Sequence, residues 1–336
     1  MAEQKQRIEW IDIAKGIGIL AVLIGHTNSG ILQYEIYSFH IPLFIFLSGM
    51  LFSGGTKTAK DFFISKIKRI AVPYYFWALI FFGISVIVPL LLTHTFEFDP
   101  SCIKYIYMGR KTALWFLGLT FCLNTVFFVL SKAFKSKLLP IGIVCAALSV
   151  GSMIYYYRLG GGDLWFNFDA ACASIPFFFA GYWFKNNSLS REKLTKLKPL
   201  PKIALTVILL AVNIALNAIN CRIYKTHADM FYNSYLNPVL FFLSAFAGIA
   251  AIILISTMIN SKALRYIGKN SMTYFILHQA VVFKAVDVFY QLSGFNPGNA
   301  ADCVIKTSSS LLLLTVLNEI IIRTPLRFSL GCQKSK

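Results

Sequence analysis

The chain has 336 residues, of which 57% are hydrophobic and 14% are charged, and its mean hydropathy is +0.65. Soluble globular domains contain about 45–50% apolar and about 25% charged residues, so this composition excludes an ordinary soluble protein. The 31 Phe and 16 Tyr residues suit lipid-facing helices and the aromatic belts at membrane surfaces. The composition therefore predicts an integral membrane protein.

The net charge of +18 results from 32 Lys and Arg against 14 Asp and Glu. The basic residues lie mostly in short loops between apolar runs, which indicates control of membrane topology rather than a nucleic-acid partner. The seven Cys form no CxxC pair and no Cys/His spacing suited to zinc, so no metal is expected. Three of them lie on the predicted outer side, where one disulfide of undetermined pairing can form: Cys102, Cys221 and Cys303.

A membrane-spanning helix needs about 20 mostly apolar residues, and ten segments meet this requirement. They lie at about 10–30, 38–53, 70–93, 113–131, 138–157, 165–184, 202–220, 236–259, 271–290 and 303–322. The linkers between them are short, and no repeat or separate soluble region is evident. The prediction is one all-α, polytopic membrane domain over residues 1–336.

Loop charges predict the orientation of these helices. With a cytoplasmic N-terminus, the inner segments hold 23 Lys and Arg, the outer loops hold 6, and three lie within spans. Because basic residues favour the cytoplasmic side, both termini are expected to be cytoplasmic. We expect a multi-pass protein of the cell membrane.

The first predicted helix carries a line of polar residues. Lys15 and His26 are 11 residues apart, so they share one helix face at a separation of about 16 Å. Asp12 lies one turn below Lys15 and can pair with it. Three glycines allow another helix or a ligand to approach this helix: Gly16, Gly18 and Gly25. A snorkelling lysine and a packing histidine explain the same residues equally well.

The second span and the loop after it contain further candidates. His40 enters the membrane from the outer side, where it can approach His26, and Ser48 follows two turns later. Three cations precede the third span and either bind a phosphate group or only set the topology: Lys66, Lys68 and Arg69.

The last two spans and the residue before them hold further polar candidates. Asn270 or Ser271 is a plausible N-cap for the ninth helix, and His278 shares a face with Ser271. Glu319, near the inner end of the last span, can pair with Arg323 at i+4. Structural roles explain these residues at least as well as catalytic ones.

Several of these segments occur in an order that is fairly specific. They are Asp12-Ile-Ala-Lys15-Gly through Gly25-His26, Phe39-His40-Ile-Pro42-Leu-Phe through Ser48-Gly49, Arg69-Ile-Ala-Val-Pro73-Tyr74, Leu114-Trp115-Phe116-Leu117, Ile175-Pro176-Phe177-Phe178 to Gly181, Ile267-Gly268-Lys269-Asn270-Ser271 to His278, and Thr324-Pro325-Leu326-Arg327. In this order they resemble membrane acyltransferase family 3, and within it the branch of fucose 4-O-acetylases and related acetyltransferases.

The resemblance implies a protein of ten helices that transfers an acyl group to an extracytoplasmic hydroxyl. The acyl group is usually acetyl from acetyl-CoA. The hydroxyl commonly belongs to a sugar in a surface polysaccharide of the cell envelope. In this family the first helix carries a basic residue and, after ten intervening positions, a His. The matching residues here are Lys15 and His26. Its paired basic residues after the second helix correspond to Lys66 and Arg69. Lys stands where many members have Arg, which weakens the case for bidentate phosphate binding.

With the resemblance, the residues predict an O-acetyltransferase. Lys15, Lys66, Lys68 and Arg69 would bind the phosphates of acetyl-CoA, with the pantetheine arm along the first helix. His26 would be the general base that takes a proton from the acceptor hydroxyl. Oxyanion donors would come from Ser48, Asn270 or His40. Direct transfer is the simpler route, and a transient acyl-enzyme on His or Ser is the alternative.

A different class of function also fits ten helices with a cationic entrance. A transporter or flippase of an anionic or glycan-related substrate would have these features, although transporters often contain two related halves, which this sequence lacks. The residues leave open the acceptor, the acyl chain and the oligomeric state.

Overall fold

The structure of the protein is a computed structural model that describes residues 8–93, 103, 106, 112–187 and 197–331. Within these residues the chain is helical, without strands, and one isolated bridge joins Asp229 to Ser234. The helices are α1 (Glu9–Gly25), α2 (Ile31–Tyr37), α3 (His40–Met50), α4 (Ala59–Lys66), α5 (Val72–Thr93), α6 (Trp115–Ala133), α7 (Leu138–Leu159), α8 (Phe168–Asn186), α9 (Pro199–Tyr224), α10 (Pro238–Met258), α11 (Lys262–Lys269), α12 (Ser271–Leu277), α13 (Lys284–Ser293) and α14 (Asn299–Arg323).

In the described part of the chain, eight helical stretches are long and apolar enough to cross a membrane. They are Ile31–Thr56, Ala59–Ile87, Trp115–Ala133, Leu138–Leu159, Pro199–Tyr224, Pro238–Met258, Ser271–Ser293 and Asn299–Arg323. The protein is therefore an all-α, polytopic membrane protein, as predicted. Helices also form at the first and sixth predicted spans, as α1 and α8, which are not among the eight.

Helix α1 is shorter than predicted and ends at Gly25 instead of residue 30. The hydroxyl groups of Thr27 and Ser29 donate to the carbonyl of Ile24, at 2.7 and 3.0 Å, and so satisfy a carbonyl at the helix end. The chain then turns at Gly30, whose φ of 60° favours glycine. The predicted connection at 31–37 is itself a short helix, α2.

Helix α1 lies inside the bundle and packs against α2, α3, α10, α11, α12 and α14. Its closest crossing is with α11, where a side chain on Gly16 would overlap the backbone of Leu264. A Cβ on Gly268 would likewise overlap the carbonyl of Asp12. The predicted close approach at Gly16 is confirmed, and another helix occupies this surface.

The other two glycines of α1 contact the segments that lead into α3. A Cβ on Gly18 would lie 2.9 Å from the ring of Phe44, and a Cβ on Gly25 would lie 2.9 Å from Ile36. These contacts confirm the close approach predicted at both glycines. They bring α2 and the start of α3 against the outer half of α1.

Two predictions about cysteines have different outcomes. Cys221 and Cys303 are free thiols, so a disulfide between them is wrong. Cys102, the third cysteine of that prediction, lies outside the described residues.

We call the end of the bundle that carries the basic segments at 54–69, 132–137 and 259–270 the inner end, which is the predicted cytoplasmic side. The opposite end, formed by residues 26–39, 112–115 and 225–237, is the outer end. The orientation of the bundle in the membrane stays a prediction from the loop charges.

Candidate active site

Three histidines meet near the outer end of the bundle. His26 follows the last residue of α1, His40 begins α3, and His278 begins a π-helical turn, His278–Phe283, that joins α12 to α13. The ring centroid of His26 is 5.0 Å from that of His278 and 6.3 Å from that of His40. The predicted approach of His40 to His26 is confirmed, and the packing of His278 on His26 is a finding of the structure.

Each of these histidines makes the same hydrogen bond to its own helix. The Nδ1 atoms of His26 and His40 lie 2.7 and 2.8 Å from the carbonyl oxygens of Val22 and Ile36. His278 Nδ1 lies 3.0 Å from the carbonyl oxygen of Tyr274. Because a carbonyl only accepts, Nδ1 carries the hydrogen in each ring, and in the neutral imidazole Nε2 then keeps its lone pair. All three imidazoles are therefore set as proton acceptors at Nε2.

The histidines differ in how accessible they are. His26 is half-buried and lines a cavity, and the largely buried His40 lines the same cavity. His278 is fully buried behind His26, and its Nε2 atom has no hydrogen-bond partner among the described residues. His26 is thus the most accessible of the three acceptors.

The histidine cavity has a volume of about 420 Å³ and lies at the outer end. Besides the histidines, its walls carry five aromatic side chains: Tyr37, Trp115, Phe231, Tyr232 and Phe275. It also exposes the polar side chains of Thr112, Asp229 and Gln279. An aromatic cavity with a few polar groups is the usual form of a small-molecule site.

Most of these lining residues were missed by sequence reasoning. Tyr37 ends the short helix α2, Trp115 begins α6, and Thr112 and Asp229 lie outside the helices, where no hydrophobic period marks a functional position. Asp229 was recognisable only as a turn residue, since its carboxylate accepts from the backbone N–H of Phe231 at 2.9 Å.

Hydrogen bonds to Asp169, in the sixth predicted span, fix the loop that carries Asp229. The side-chain amide of Asn233 donates to the carboxylate of Asp169, and the backbone N–H of Leu164 lies 3.3 Å from the same carboxylate. Asp169, a charged residue within the sixth predicted span, therefore positions a wall of the cavity and does not line it.

Buried asparagines of α9 hold the opposite wall. Asn213 donates to the hydroxyl of Ser38 at 3.0 Å, and Asn217 donates to the carbonyl of Tyr34 at 3.1 Å and to Glu35 at 2.9 Å. These bonds fix the segment that carries Tyr37 and His40. Asparagine suits this position because one amide can donate to two partners.

His227 continues the aromatic surface at the rim of the cavity. Its ring centroid lies 4.7 Å from that of Tyr37 and 4.9 Å from that of Tyr34. Burial lowers the pKa of His227 below its ordinary value, so this imidazole is neutral at pH 7.

Two of the three predicted oxyanion donors lie away from His26. The hydroxyl of Ser48 donates to the carbonyl of Phe44 at 2.8 Å, further toward the inner end of α3. The amide of Asn270 donates to the carbonyl of Tyr266 at 3.0 Å; Asn270 is the N-cap of α12, without a side-chain cap bond. His40 is adjacent, but its neutral Nε2 accepts and cannot donate.

Ser271 and Glu319 also lie at the inner end. Ser271 is the first residue of α12. The predicted ion pair of Glu319 with Arg323 is confirmed at 2.9 Å. Glu319 also accepts from the hydroxyl of Tyr266 at 2.5 Å, and burial together with this bond raises the pKa of Tyr266 to about 12. These contacts link α11 to α14, which is a structural role.

The predicted phosphate-binding cations lie at the inner end. Lys68 and Arg69 are exposed on a π-helical turn, Ile67–Ala71, that leads into α5. Lys66 is half-buried, with its Nζ 5.5 Å from the ring centroid of Phe62. On α1, Asp12 is buried at the crossing with α11 and Lys15 is half-buried.

The face of α1 between Lys15 and His26 is closed. Ile19 and Val22 lie on this face, and both are fully buried in the core. The predicted course of the pantetheine arm along this face is therefore filled by protein in this conformation. Within the described residues, no group of three His, Cys, Asp or Glu side chains could hold a metal ion.

The fold and the cavity define a polytopic α-helical membrane protein with a histidine-lined cavity near the outer end. A family model described as an acyltransferase domain matches residues 8–318, nearly the whole chain, and the protein belongs to this family, membrane acyltransferase family 3. No curated protein and no solved structure matches the chain. The family favours the enzyme over the transporter considered from the sequence.

Proposed function

We propose that this membrane acyltransferase moves an acetyl group from cytoplasmic acetyl-CoA to a hydroxyl of an extracytoplasmic or lipid-linked glycan. The observation that carries the proposal is the geometry of His26. Its Nδ1–H donates to Val22, so its Nε2 lone pair is available at the edge of a cavity large enough for a sugar ring.

In the proposed reaction, the acceptor hydroxyl gives its proton to Nε2 of His26 as its oxygen attacks the thioester carbonyl carbon. The tetrahedral intermediate then expels the CoA thiolate, and the proton on His26 neutralises that thiolate. The reaction leaves an acetyl ester and free CoA, with His26 neutral again. The oxyanion requires donors, and the amide of Gln279 is the lining group best suited to this role.

The aromatic walls support a sugar acceptor. A sugar ring has apolar faces that pack on aromatic rings and hydroxyl groups that bond to carboxylates and amides. Tyr37, Trp115 and Tyr232 provide the rings, and Asp229 provides a carboxylate in the same cavity. The location at the outer end suits an acceptor from the extracytoplasmic side.

The donor would bind at the opposite end. Lys68 and Arg69 are exposed and Lys66 and Lys15 are half-buried at the inner end, and this cationic surface would bind the phosphates of CoA. Since Ile19 and Val22 fill the direct route along α1, the acetyl group would reach His26 only after neighbouring helices separate. A transient acyl-enzyme would solve the same problem in two steps.

Complementation tests the proposal in cells. A strain without this protein receives either the wild-type chain or His26→Gln, and the O-acetyl content of its surface polysaccharide is measured by proton NMR. We expect acetylation with the wild type alone. Equal acetylation with His26→Gln would refute the role of His26, and no acetylation with either would refute the glycan acceptor.

Labelling of the protein separates direct transfer from an acyl-enzyme. The purified protein is incubated with radiolabelled acetyl-CoA without acceptor, then denatured and assayed for bound label. Direct transfer predicts no bound label, and an acyl-enzyme predicts stable labelling that a histidine or serine substitution removes.

A further inference from the structure

A second, smaller cavity of about 220 Å³ lies between α5 and the segment around the π-helical turn. Thr112 and Gln279 line both this side cavity and the histidine cavity. The two cavities are therefore neighbours that share a wall, and a ligand passing these two residues would occupy both.

The side cavity contains a cation within a membrane-spanning stretch. Lys284 lines it from the start of α13, six residues beyond His278 toward the outer end. Among the described residues no carboxylate pairs with Lys284, because the nearby Asp287 binds Lys306 at 2.8 Å. Asp302 binds the same Lys306 at 3.1 Å. A lysine in a span is costly and marks a functional site by default.

Three of the six other residues that line the side cavity are apolar. Phe81, Ile84 and Ala280 line it, and Ile84 is 46% exposed on the side of α5. Ser85 adds a hydroxyl that already donates to the carbonyl of Phe82 at 2.7 Å. A single cation beside apolar walls suits a ligand that combines an anionic group with an aliphatic chain.

We propose that the side cavity binds the phosphate of a lipid-linked acceptor through Lys284, while the sugar of that acceptor enters the histidine cavity. This inference rests on the proposed function and specifies its acceptor as a phosphate-bearing one. The phosphate oxygens accept from the Lys284 ammonium and from the Gln279 amide. The lipid chain leaves along Phe81 and Ile84 toward the membrane.

Direct binding tests the phosphate site without requiring turnover. The purified full chain is immobilised in detergent and titrated with radiolabelled farnesyl phosphate in a scintillation proximity assay. Lys284→Gln should weaken binding about tenfold or more, the loss expected when a charge-assisted hydrogen bond is removed. Lys284→Arg should bind within about threefold of the wild type, because it keeps the charge.

Two controls make the result specific. Lys225→Gln removes another exposed lysine at the outer end, after α9, and should leave binding unchanged. His26→Gln should also bind farnesyl phosphate normally even where it abolishes acetyl transfer. Acetyl transfer and phosphate binding are thus measured separately. The proposed function and the proposed phosphate site can therefore be refuted independently of each other.

Competition identifies the source of the phosphate. Unlabelled farnesol, which lacks the phosphate, should compete at least about tenfold more weakly than farnesyl phosphate. N-acetylglucosamine 1-phosphate, which lacks the lipid chain, should also compete weakly. If it competes as well as farnesyl phosphate, the site recognises the phosphate and the proposed role of the lipid chain is wrong. Equal affinity of the wild type and Lys284→Gln for farnesyl phosphate would overturn the site.

Discussion

The imidazole of His278 packs edge-to-face against the imidazole of His26, with 5.0 Å between the ring centroids. Within the described part of the chain, Nε2 of His278 is buried without a hydrogen-bond partner. Leaving a buried acceptor unpaired costs stability, so this atom calls for an explanation, and a role in the reaction is the one we test. We expect the lone pair on His278 to stabilise the positive charge when His26 takes a proton, because the two rings are in contact.

His278→Phe tests this role because it keeps an aromatic ring against His26 and removes the acceptor. We expect kcat for acetyl transfer to fall about tenfold or more, since one charge-assisted interaction is lost as His26 is protonated. KM for acetyl-CoA should not change. Steady-state kinetics on the purified protein check this, and an unchanged kcat would assign His278 a packing role.

His26→Gln should lower acetyl transfer by about 10²–10⁴-fold, the usual contribution of a general base. Glutamine keeps much of the size and hydrogen bonding of histidine but cannot accept a proton at neutral pH. Acetyl transfer and acetyl-CoA binding are measured on the same preparation, and binding should be retained. His26→Ala should be equally inactive.

His40→Ala is the matched comparison, because His40 lines the same cavity with the same Nδ1 hydrogen bond. It should keep measurable activity and lose affinity for the acceptor. If His40→Ala is inactive while His26→Gln is normal, the base is His40. If both are fully active, neither imidazole is the base.

The parts of the fold that the sequence predicted are those marked by long apolar runs. The segments that became α6, α7, α9 and α10 have this pattern, and each was predicted to within a few residues. The pair His26 and His40 was also predicted, since a short connection limits how far two helix ends can separate. Local patterns and chain length were sufficient there.

The rest of the site depends on tertiary contacts. His278 is more than 250 residues from His26, Asp229 lies in a loop and Trp115 begins α6, so sequence spacing gives no distance between them. The closure of the α1 face was missed for the same reason. Ile19 and Val22 read as ordinary helix residues, and only packing shows that they fill the expected donor route.

Arg69→Ala should raise KM for acetyl-CoA with little change in kcat, because phosphate contacts far from the reacting atoms contribute nearly equally to ground and transition states. Lys15→Ala should have the same effect. Added salt should weaken donor binding in the wild type and less in these variants.

Lys60→Ala is the control for this cationic surface, because Lys60 is exposed in the preceding helix α4 and has no assigned role. Its KM should match that of the wild type. If Arg69→Ala and Lys15→Ala also keep the wild-type dependence on acetyl-CoA concentration, the donor binds elsewhere.

Gly268→Ala should destabilise the protein by about 1–3 kcal/mol, the usual cost of overpacking a close contact. The added Cβ would overlap the carbonyl of Asp12 and lie 2.8 Å from the backbone nitrogen of Gly16, so α1 and α11 must separate. Gly151→Ala, in α7, is the control, since no atom lies within 4 Å of its Cβ position. Thermal unfolding in detergent should show a lower Tm for Gly268→Ala alone.

The assignment of donor and acceptor sides depends on the predicted orientation, in which the loop at about 185–201 is cytoplasmic with both termini. Residues 188–196 of this loop lie outside the described structure, but Lys198 is described and is exposed next to α9. Single cysteines at Lys198 and Lys137, in a chain without its seven native cysteines, should react with a membrane-impermeant maleimide only after the cells are opened. A cysteine at Lys225 should react in intact cells, because Lys225 is exposed at the end that carries the histidine cavity. The opposite pattern would place that cavity on the cytoplasmic side, where the acceptor could not be an extracytoplasmic glycan.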